Sequence, residues 1–452
     1  MMGRLFGTDG IRGIANKELT GELAYALGLA TGNVLGKEIK GRKPSVLIGK
    51  DTRISGDMLE QAMGAGLLAM GCDVWRAGVI PTPAVAYLTR TGGHSAGVVI
   101  SASHNPFEYN GIKLFDGNGF KLADEIEDEI ADIVMKRDGQ NDHITGVLLG
   151  RSYSCEDESL KSYVDFLANN VTEDLSGLHV VVDSANGAAW KVAKKLFSLL
   201  GVKAVLMGGK PDGTNINNGR GSTQPEAMQK RVVREGADVG LAFDGDADRL
   251  ICSDEQGGLI DGDKLMYVLA KSLKDRGKLG DGLLTATVMS NAGFAEAVER
   301  EGITLQRADV GDRYVLELMQ KTGSVFGGEQ SGHLIFLEEH TTGDGIFAAL
   351  RFLEALKRSG QKASSLAAGV TIYPQVLKNA KVKDENKYGF DKDEKIVATI
   401  AEIENEMANK GRVLIRPSGT EPVVRVMLEG GDLPALNRLA DRLARLIEGR
   451  LR

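Results

Sequence analysis

The chain is poor in cysteine. Cys72, Cys155 and Cys252 lie far apart among 452 residues and in no metal-ligand spacing, so the expectation is reduced thiols in a cytosol. No apolar run approaches the ~18 residues that cross a bilayer. The opening MMGRLFGTDG has no apolar core of a secretory signal. The chain is therefore expected to be cytoplasmic, with no membrane partner. Basic residues are not in excess either. Lys and Arg number 55 against 62 Asp and Glu, a net charge of −7. That argues against a nucleic-acid partner, which needs a broad basic face. An anionic ligand must instead be drawn in by local arginines against the overall field. A short solenoid-type repeat is also absent.

Glycine is what the chain has in excess, 58 of 452 residues, against a usual ~7%. It falls in short clusters between apolar runs, as tight turns and backbone-lined sites require. The runs themselves alternate. A strand at 45–51 (SVLIGKD) precedes a helix at 55–71, with Ser55 as its expected N-cap and Gly71 as its stop. The strand AGVVIS follows. The rhythm returns over 178–244 and again from 261 to 329, which implies parallel sheet covered by helices. After 367 the order changes to a charged helix at 391–410, strand-like segments at 412–416 and 422–428, and an amphipathic helix at 432–452. The expected architecture is α/β: three similar α/β domains with mixed or parallel sheets, followed by a smaller α+β domain. The expected domains span 1–152, 153–255, 256–367 and 368–452.

Two motifs suggest chemistry at strand ends. In VVISASHNPFEYNGIKLF (98–115), Ser103 sits where a parallel strand runs out, the edge at which open α/β sheets bind ligands. A Gly-x-Ser-x-Gly elbow is missing. In an extended chain His104 points to the opposite face from Ser103, which makes it a poor base, although it stays among the catalytic candidates. In AFDGDADR (242–249), Asp244, Asp246 and Asp248 alternate and would face one way if extended. Three carboxylates together call for a cation, and hard oxygen ligands favour magnesium, manganese or calcium. An EF-hand loop starting at Asp244 would place Glu255 at its twelfth position, but Arg249 stands where its glycine belongs. An aspartyl-nucleophile phosphatase, with Asp244 attacking, is a competing reading. So is a catalytically silent calcium or sugar-phosphate binder.

Three further loops stand out. FGTDGIRG (6–13) holds Thr8 and Arg12. GGEQSGH (327–333) holds Glu329, Ser331 and His333, a carboxylate and hydroxyl suited to vicinal sugar hydroxyls. RPSGTEPVVR (416–425) holds Arg416, Ser418, Gly419, Thr420 and Arg425. There guanidinium forks, hydroxyls and a glycine N–H match phosphate.

Taken together, SASHNP (101–106), DGDADR (244–249), GEQSG (328–332) and RPSGTEP (416–422) resemble, in order, the four motif loops of the α-D-phosphohexomutase superfamily. GGEQSGH with GRLFGTDGIRG is most similar to its bacterial glucosamine-phosphate branch. In NNGRGST (217–223) this chain carries Arg220 where that branch often has cysteine. The resemblance implies a four-domain fold and a mutase acting on a hexosamine phosphate. The alternative is a phosphomannomutase/phosphoglucomutase of the same superfamily. By resemblance, Ser103 carries a phosphoryl group, and Mg2+ is held by Ser103 (through its phosphate), Asp244, Asp246 and Asp248. Thr8, Glu329 and Ser331 contact the sugar. Arg416, Ser418, Gly419, Thr420 and Arg425 hold the phosphate that is not transferred. Lys113, Arg12 and His333 are the acid–base candidates, Lys113 first on the argument that neighbouring cations lower its pKa. The expected assembly is a monomer or homodimer.

Overall fold

The computed structural model describes residues 5–7, 9–38, 43–136, 144–407, 411–418 and 421–452. They form two compact units, Met1–Met289 with Glu301–Gly369, and Ser290–Arg300 with Val370–Arg452.

The first unit holds three sheets. The first is built from β1 (Ile11–Ile14), β2 (Ser45–Lys50), β3 (Asp73–Val79), β4 (Ala96–Ile100), β5 (Tyr109–Asp116) and β6 (Ser152–Ser154), in the order β1-β5-β4-β2-β3-β6. The second contains β7 (His179–Asp183), β8 (Lys203–Met207), β9 (Val239–Phe243), β10 (Leu250–Asp254) and β11 (Leu259–Ile260), in the order β11-β10-β9-β7-β8. The third contains β12 (Leu283–Thr287), β13 (Thr304–Ala308), β14 (Phe326–Gly328) and β15 (Leu334–Phe336), in the order β13-β12-β14-β15.

One plan recurs in all three. A central strand (β2, β7, β12) is flanked by two parallel neighbours, and the second neighbour pairs with an antiparallel return strand. The unbroken apolar runs of β4 and β9 are buried throughout, as parallel strands covered on both faces require. The sheets are thus mixed rather than purely parallel. The antiparallel returns β5 and β10 carry polar residues inside short runs, which is why strand alternation alone does not reveal them.

Helix packing in the first layer depends on glycine. Helices Gly21–Glu38 and Gly56–Ala69 approach so closely that a Cβ on Gly28 would lie 2.3 Å from the Met63 carbonyl, and one on Gly66 2.3 Å from that of Tyr25. Ser55 does stand at the N-cap position, but its hydroxyl makes no capping bond. It accepts instead from the Asn110 amide at 2.9 Å. Where the three layers meet, Tyr87, Tyr163, Phe166, His340 and Phe347 pack ring against ring, Tyr87 to Phe166 at 4.1 Å between centroids.

The second unit is a three-stranded antiparallel sheet of β16 (Gln375–Lys381), β17 (Gly411–Pro417) and β18 (Val423–Gly430), in the order β16-β18-β17, with helices Glu394–Glu406 and Leu433–Leu451. Its core joins Val424, Val426 and Leu428 to Leu436, Leu443 and Ile447. Residues 290–300 belong to this unit. Buried Glu429 accepts the Ala292 N–H at 2.7 Å, and Asn291 bonds both backbone groups of Tyr373. No helix among the described residues is long and apolar enough to cross a membrane.

Candidate active site

Three of the motif loops occupy the same topological position. Residues 101–108 join β4 to β5, 244–249 join β9 to β10, and 329–333 join β14 to β15. Each lies where a parallel strand ends and turns into its antiparallel return. That is the carboxyl edge at which α/β sheets gather ligands.

Ser103 is fully buried and has φ +51, a left-handed conformation that a non-glycine residue adopts only when its surroundings enforce it. Arg53 enforces it. Its guanidinium, also buried, donates to the carbonyls of Ser103 (2.9 Å), Asn105 (2.8 Å), Tyr109 (3.0 Å) and Pro106, and pairs with Asp51 at 2.9 Å. The Ser101 hydroxyl donates to Asp51 at 2.6 Å and accepts the Ser103 N–H at 2.9 Å. The Asn217 side-chain amide also donates to the carbonyls of Ser103 and Asn105. The positive φ also overturns the expectation for His104. Strand alternation does not apply at this turn, and His104 Nδ1 comes within 3.3 Å of Ser103 Oγ. Burial, then the nearby Arg249 and Arg12 charges, push its pKa down to about 4, so the imidazole is neutral at ordinary pH.

Asp244, Asp246 and Asp248 converge. All three are buried and each offers an oxygen within 4.8 Å of the others. The expected reason does not hold, because residues 244–248 form a turn, with Ala247 at φ +58, and not an extended strand. The Ser103 hydroxyl donates to Asp244 Oδ2 at 2.5 Å, and the Arg249 N–H donates to its Oδ1 at 3.2 Å. The Thr82 hydroxyl and Lys113 Nζ both donate to Asp246 Oδ2, at 2.7 and 3.1 Å. Asp246 Oδ1 and Asp248 Oδ1 are buried without a hydrogen-bond partner. Burial and the two neighbouring carboxylates hold the Asp244 pKa well above the usual range. Excess buried negative charge with two unpartnered oxygens fits a hard divalent cation. The EF-hand alternative fails. Glu255 caps Ser364 instead, accepting its N–H at 3.1 Å and its hydroxyl at 2.6 Å.

Lys113 reaches this cluster because β5 returns antiparallel beside β4. Its Nζ lies 3.1 Å from Asp246, 3.5 Å from Asp9 and 3.6 Å from Asp248. The expected lowered pKa is corrected here. Burial alone would lower it, but the carboxylates of Asp246, Asp9 and Asp248 outweigh burial and raise it, so Lys113 is a protonated donor. Charged side chains and the His333 imidazole close into a ring. From Lys113 it passes through Asp9 to Lys121 (2.9 Å), Asp312 (2.5 Å), His333 (3.6 Å) and Asp248 (3.6 Å), and back to Lys113. Arg12 also pairs with Asp9. The Gly343 N–H donates to His333 Nε2 at 3.0 Å, which leaves the Nδ1 proton facing Asp248.

In the 329–333 loop, the Glu329 carboxylate sits near His333, Asp312 and Arg249, and burial raises its pKa. Ser331 Oγ is buried with no partner. In the second unit, Arg416 and Arg425 stand directly opposite each other on β17 and β18. Like charges in that register repel. Arg425 pairs with Glu421 at 3.1 Å and keeps a buried, unpartnered Nε. Ser418 is buried and its hydroxyl accepts the Glu421 N–H at 3.3 Å. Thr8, Gly419 and Thr420 lie outside the described residues. Sequence reasoning missed Asp9, Asp51, Arg53, Lys121, Asn217 and Asp312. Only Asp51-Thr-Arg53, at the end of β2, carried a usable signal: charged residues at a strand's carboxyl end.

Comparison with known proteins gives four consecutive family matches. Phosphoglucomutase/phosphomannomutase domain I matches residues 3–141, domain II 161–258, domain III 261–373 and the C-terminal domain 377–446. Among curated relatives, a protein of Acetivibrio thermocellus named phosphoglucosamine mutase is 51% identical over 450 residues, and one of Clostridium kluyveri with the same name is 52% identical over 452. Each alignment covers all of both chains. Among solved structures, a phosphoglucomutase/phosphomannomutase family protein from Burkholderia thailandensis superposes with TM-score 0.80 at 25% identity, covering 99% of this chain and 98% of that one. Aspergillus fumigatus N-acetylphosphoglucosamine mutase, solved with GlcNAc-6P and magnesium, has TM-score 0.67 at 18% identity, covering 99% and 96%.

Proposed function

Because this chain belongs to the phosphoglucomutase/phosphomannomutase family, we propose that it interconverts glucosamine 6-phosphate and glucosamine 1-phosphate through a phosphoserine enzyme and a 1,6-bisphosphate. The observation that carries the reading is the buried Ser103 hydroxyl donating to Asp244 at 2.5 Å, beside two unpartnered carboxylate oxygens. A serine so placed presents its oxygen, and any phosphoryl group on it, to a cation site. The substrate class follows the full-length relatives named phosphoglucosamine mutase.

The phosphoryl group on Ser103 passes to the free sugar hydroxyl. The P–Oγ bond breaks as the new P–O bond forms, a base takes the hydroxyl proton, and Oγ is reprotonated. The bisphosphate then returns its other phosphoryl group to Ser103. Asp244, Asp246, Asp248 and a phosphate oxygen on Ser103 would hold Mg2+, which when bound neutralises charge developing on the transferred group. On the return step the Ser103 hydroxyl must lose its proton. Neutral His104 Nδ1 and Asp244 Oδ2 both stand within reach of it. Protonated Lys113, with Arg12, supplies positive charge and hydrogen-bond donors to the same cluster. Glu329 and Ser331 are the proposed sugar contacts. Arg416, Ser418, Gly419, Thr420 and Arg425 are proposed to grip the phosphate that stays, since an anion between Arg416 and Arg425 relieves their repulsion.

A phosphatase using Asp244 as nucleophile fits less well, because it gives no role to the buried Ser103 hydroxyl that donates to Asp244. Intact mass of the purified protein, before and after phosphatase treatment, tests the carrier. Turnover of glucosamine phosphate against glucose and mannose phosphates tests the substrate. A chain with no phosphate on Ser103 and no isomerisation of any hexose phosphate would falsify the reading. Equal or better kcat/KM with mannose 1-phosphate would move it to the neighbouring branch.

A further inference from the structure

NNGRGST, 217–223, is a loop with no role in the reaction as described so far. It docks between the ends of two strands of the second sheet. The Asn217 N–H donates to the Ala185 carbonyl at 2.9 Å, just beyond β7, and the Ser222 N–H to that of Phe243 at 3.0 Å, the last residue of β9. Gly221 (φ +79) lies so close that a Cβ would stand 2.5 Å from the same Phe243 carbonyl. The loop is therefore rigidly tied to the strand that feeds the aspartate cluster. From this base the buried Asn217 side chain reaches across to the first layer. Its Nδ2 donates to the carbonyl of Ser103 at 2.8 Å and to that of Asn105 at 3.1 Å. Arg53 bonds the same two carbonyls from the first layer's own side. Asn217 is itself left-handed, with φ +60, a conformation asparagine tolerates better than most residues.

We propose that Asn217 is a positioning residue for phosphoryl transfer, its amide locking the Ser103 turn onto the layer that carries Asp244, Asp246 and Asp248. Arg53 shapes the Ser103 loop, and Asn217 sets where that loop stands relative to the cation site. The inference rests on the reading of Ser103 as the phosphoryl carrier.

Two variants test it. Asn217→Asp keeps the side chain's shape and its tolerance of a left-handed backbone but loses both donated bonds. Asn217→Gly removes the side chain at a φ that glycine adopts freely. In both, kcat for the hexosamine phosphate should fall by roughly tenfold to a hundredfold, as for a sub-ångström to 1 Å misplacement of a reacting group. KM should stay within about twofold, and the 31P resonance of the phosphoserine should shift from its wild-type position. Wild-type kcat with an unshifted resonance in both variants overturns the proposal. So does a raised KM at wild-type kcat, which would make Asn217 a binding residue. Wild-type protein showing no phosphoserine resonance defeats the carrier reading itself, and that outcome is visible before any variant is made.

Discussion

Gly245 offers a sharp test of how tightly the Ser103 and aspartate loops are packed. It is the second residue of the turn that gathers the three carboxylates, and a Cβ added there would lie 2.4 Å from the Ser103 carbonyl oxygen, 2.9 Å from Ile216 Cδ1 and 3.0 Å from Asn217 Nδ2. The Ile216 methyl can rotate away. The Ser103 carbonyl cannot, because Arg53 and Asn217 both hold it. Ordinary contact needs about 3.5 Å, so Gly245→Ala must drive the two loops apart by roughly 1 Å. The φ of Gly245 is not positive, so backbone strain adds nothing and the effect is one of separation. Overpacking of this kind costs about 1–3 kcal/mol of stability. A 1 Å error between the phosphoryl carrier and its cation site should cost on the order of a hundredfold in kcat. The assay is steady-state turnover of glucosamine 6-phosphate beside a thermal melt, with Gly64→Ala as control, since a Cβ there meets only Val74 Cγ1 at 3.9 Å. Near-wild-type kcat in Gly245→Ala would refute the reasoning. The two loops would then be free to adjust, and their close approach would not matter for catalysis.

Ser103→Ala should abolish mutase turnover and the phosphorylated mass species while leaving the melt close to wild type, whereas hydrolysis surviving in Ser103→Ala but not in Asp244→Asn would instead support the phosphatase chemistry. His104 should titrate by NMR with a midpoint near 4 instead of its ordinary 6.5. The unfolded chain then takes up a proton that the folded protein refuses, so His104 contributes stability above pH 6.5 that is lost as pH falls towards 4. His104→Gln should make the melting temperature fall less steeply across that window, and an unchanged slope would count against the shift. Arg425→Ala should keep Ser103 phosphorylated, raise KM roughly tenfold to a hundredfold for one lost charge-assisted phosphate contact of about 1.5–3 kcal/mol, and release free glucosamine 1,6-bisphosphate during turnover. Wild-type KM without that leakage would place the phosphate grip elsewhere.

Much of this molecule is determined by short stretches of its sequence. The apolar runs that become β2, β4, β7 and β9 are buried on both faces, so hydrophobicity alone marks them. The loops that follow β4, β9 and β14 carry Ser103, the three aspartates and Glu329-Gln-Ser331, and their residue types already imply phosphate, cation and sugar chemistry. What lies outside such windows was decided by the tertiary structure. Strand β5 has no clear strand pattern because its apolar positions are interrupted by Asn110 and Lys113, yet its antiparallel return is what delivers Lys113 to Asp246, 133 positions away. The left-handed turn at Ser103 depends on Arg53, 50 residues upstream, and Asn217, 114 downstream. No local propensity predicts it, and without it His104 would face away from Ser103. The direction of the Lys113 pKa was misjudged for the same reason. The expectation placed the amine near a cation and arginines, whereas the fold surrounds it with Asp9, Asp246 and Asp248. Residue identity states which groups are available. Their charge states and mutual distances come from strands that meet only when three layers of one chain are folded together, because electrostatic and hydrogen-bond terms depend on separation in space and not along the chain.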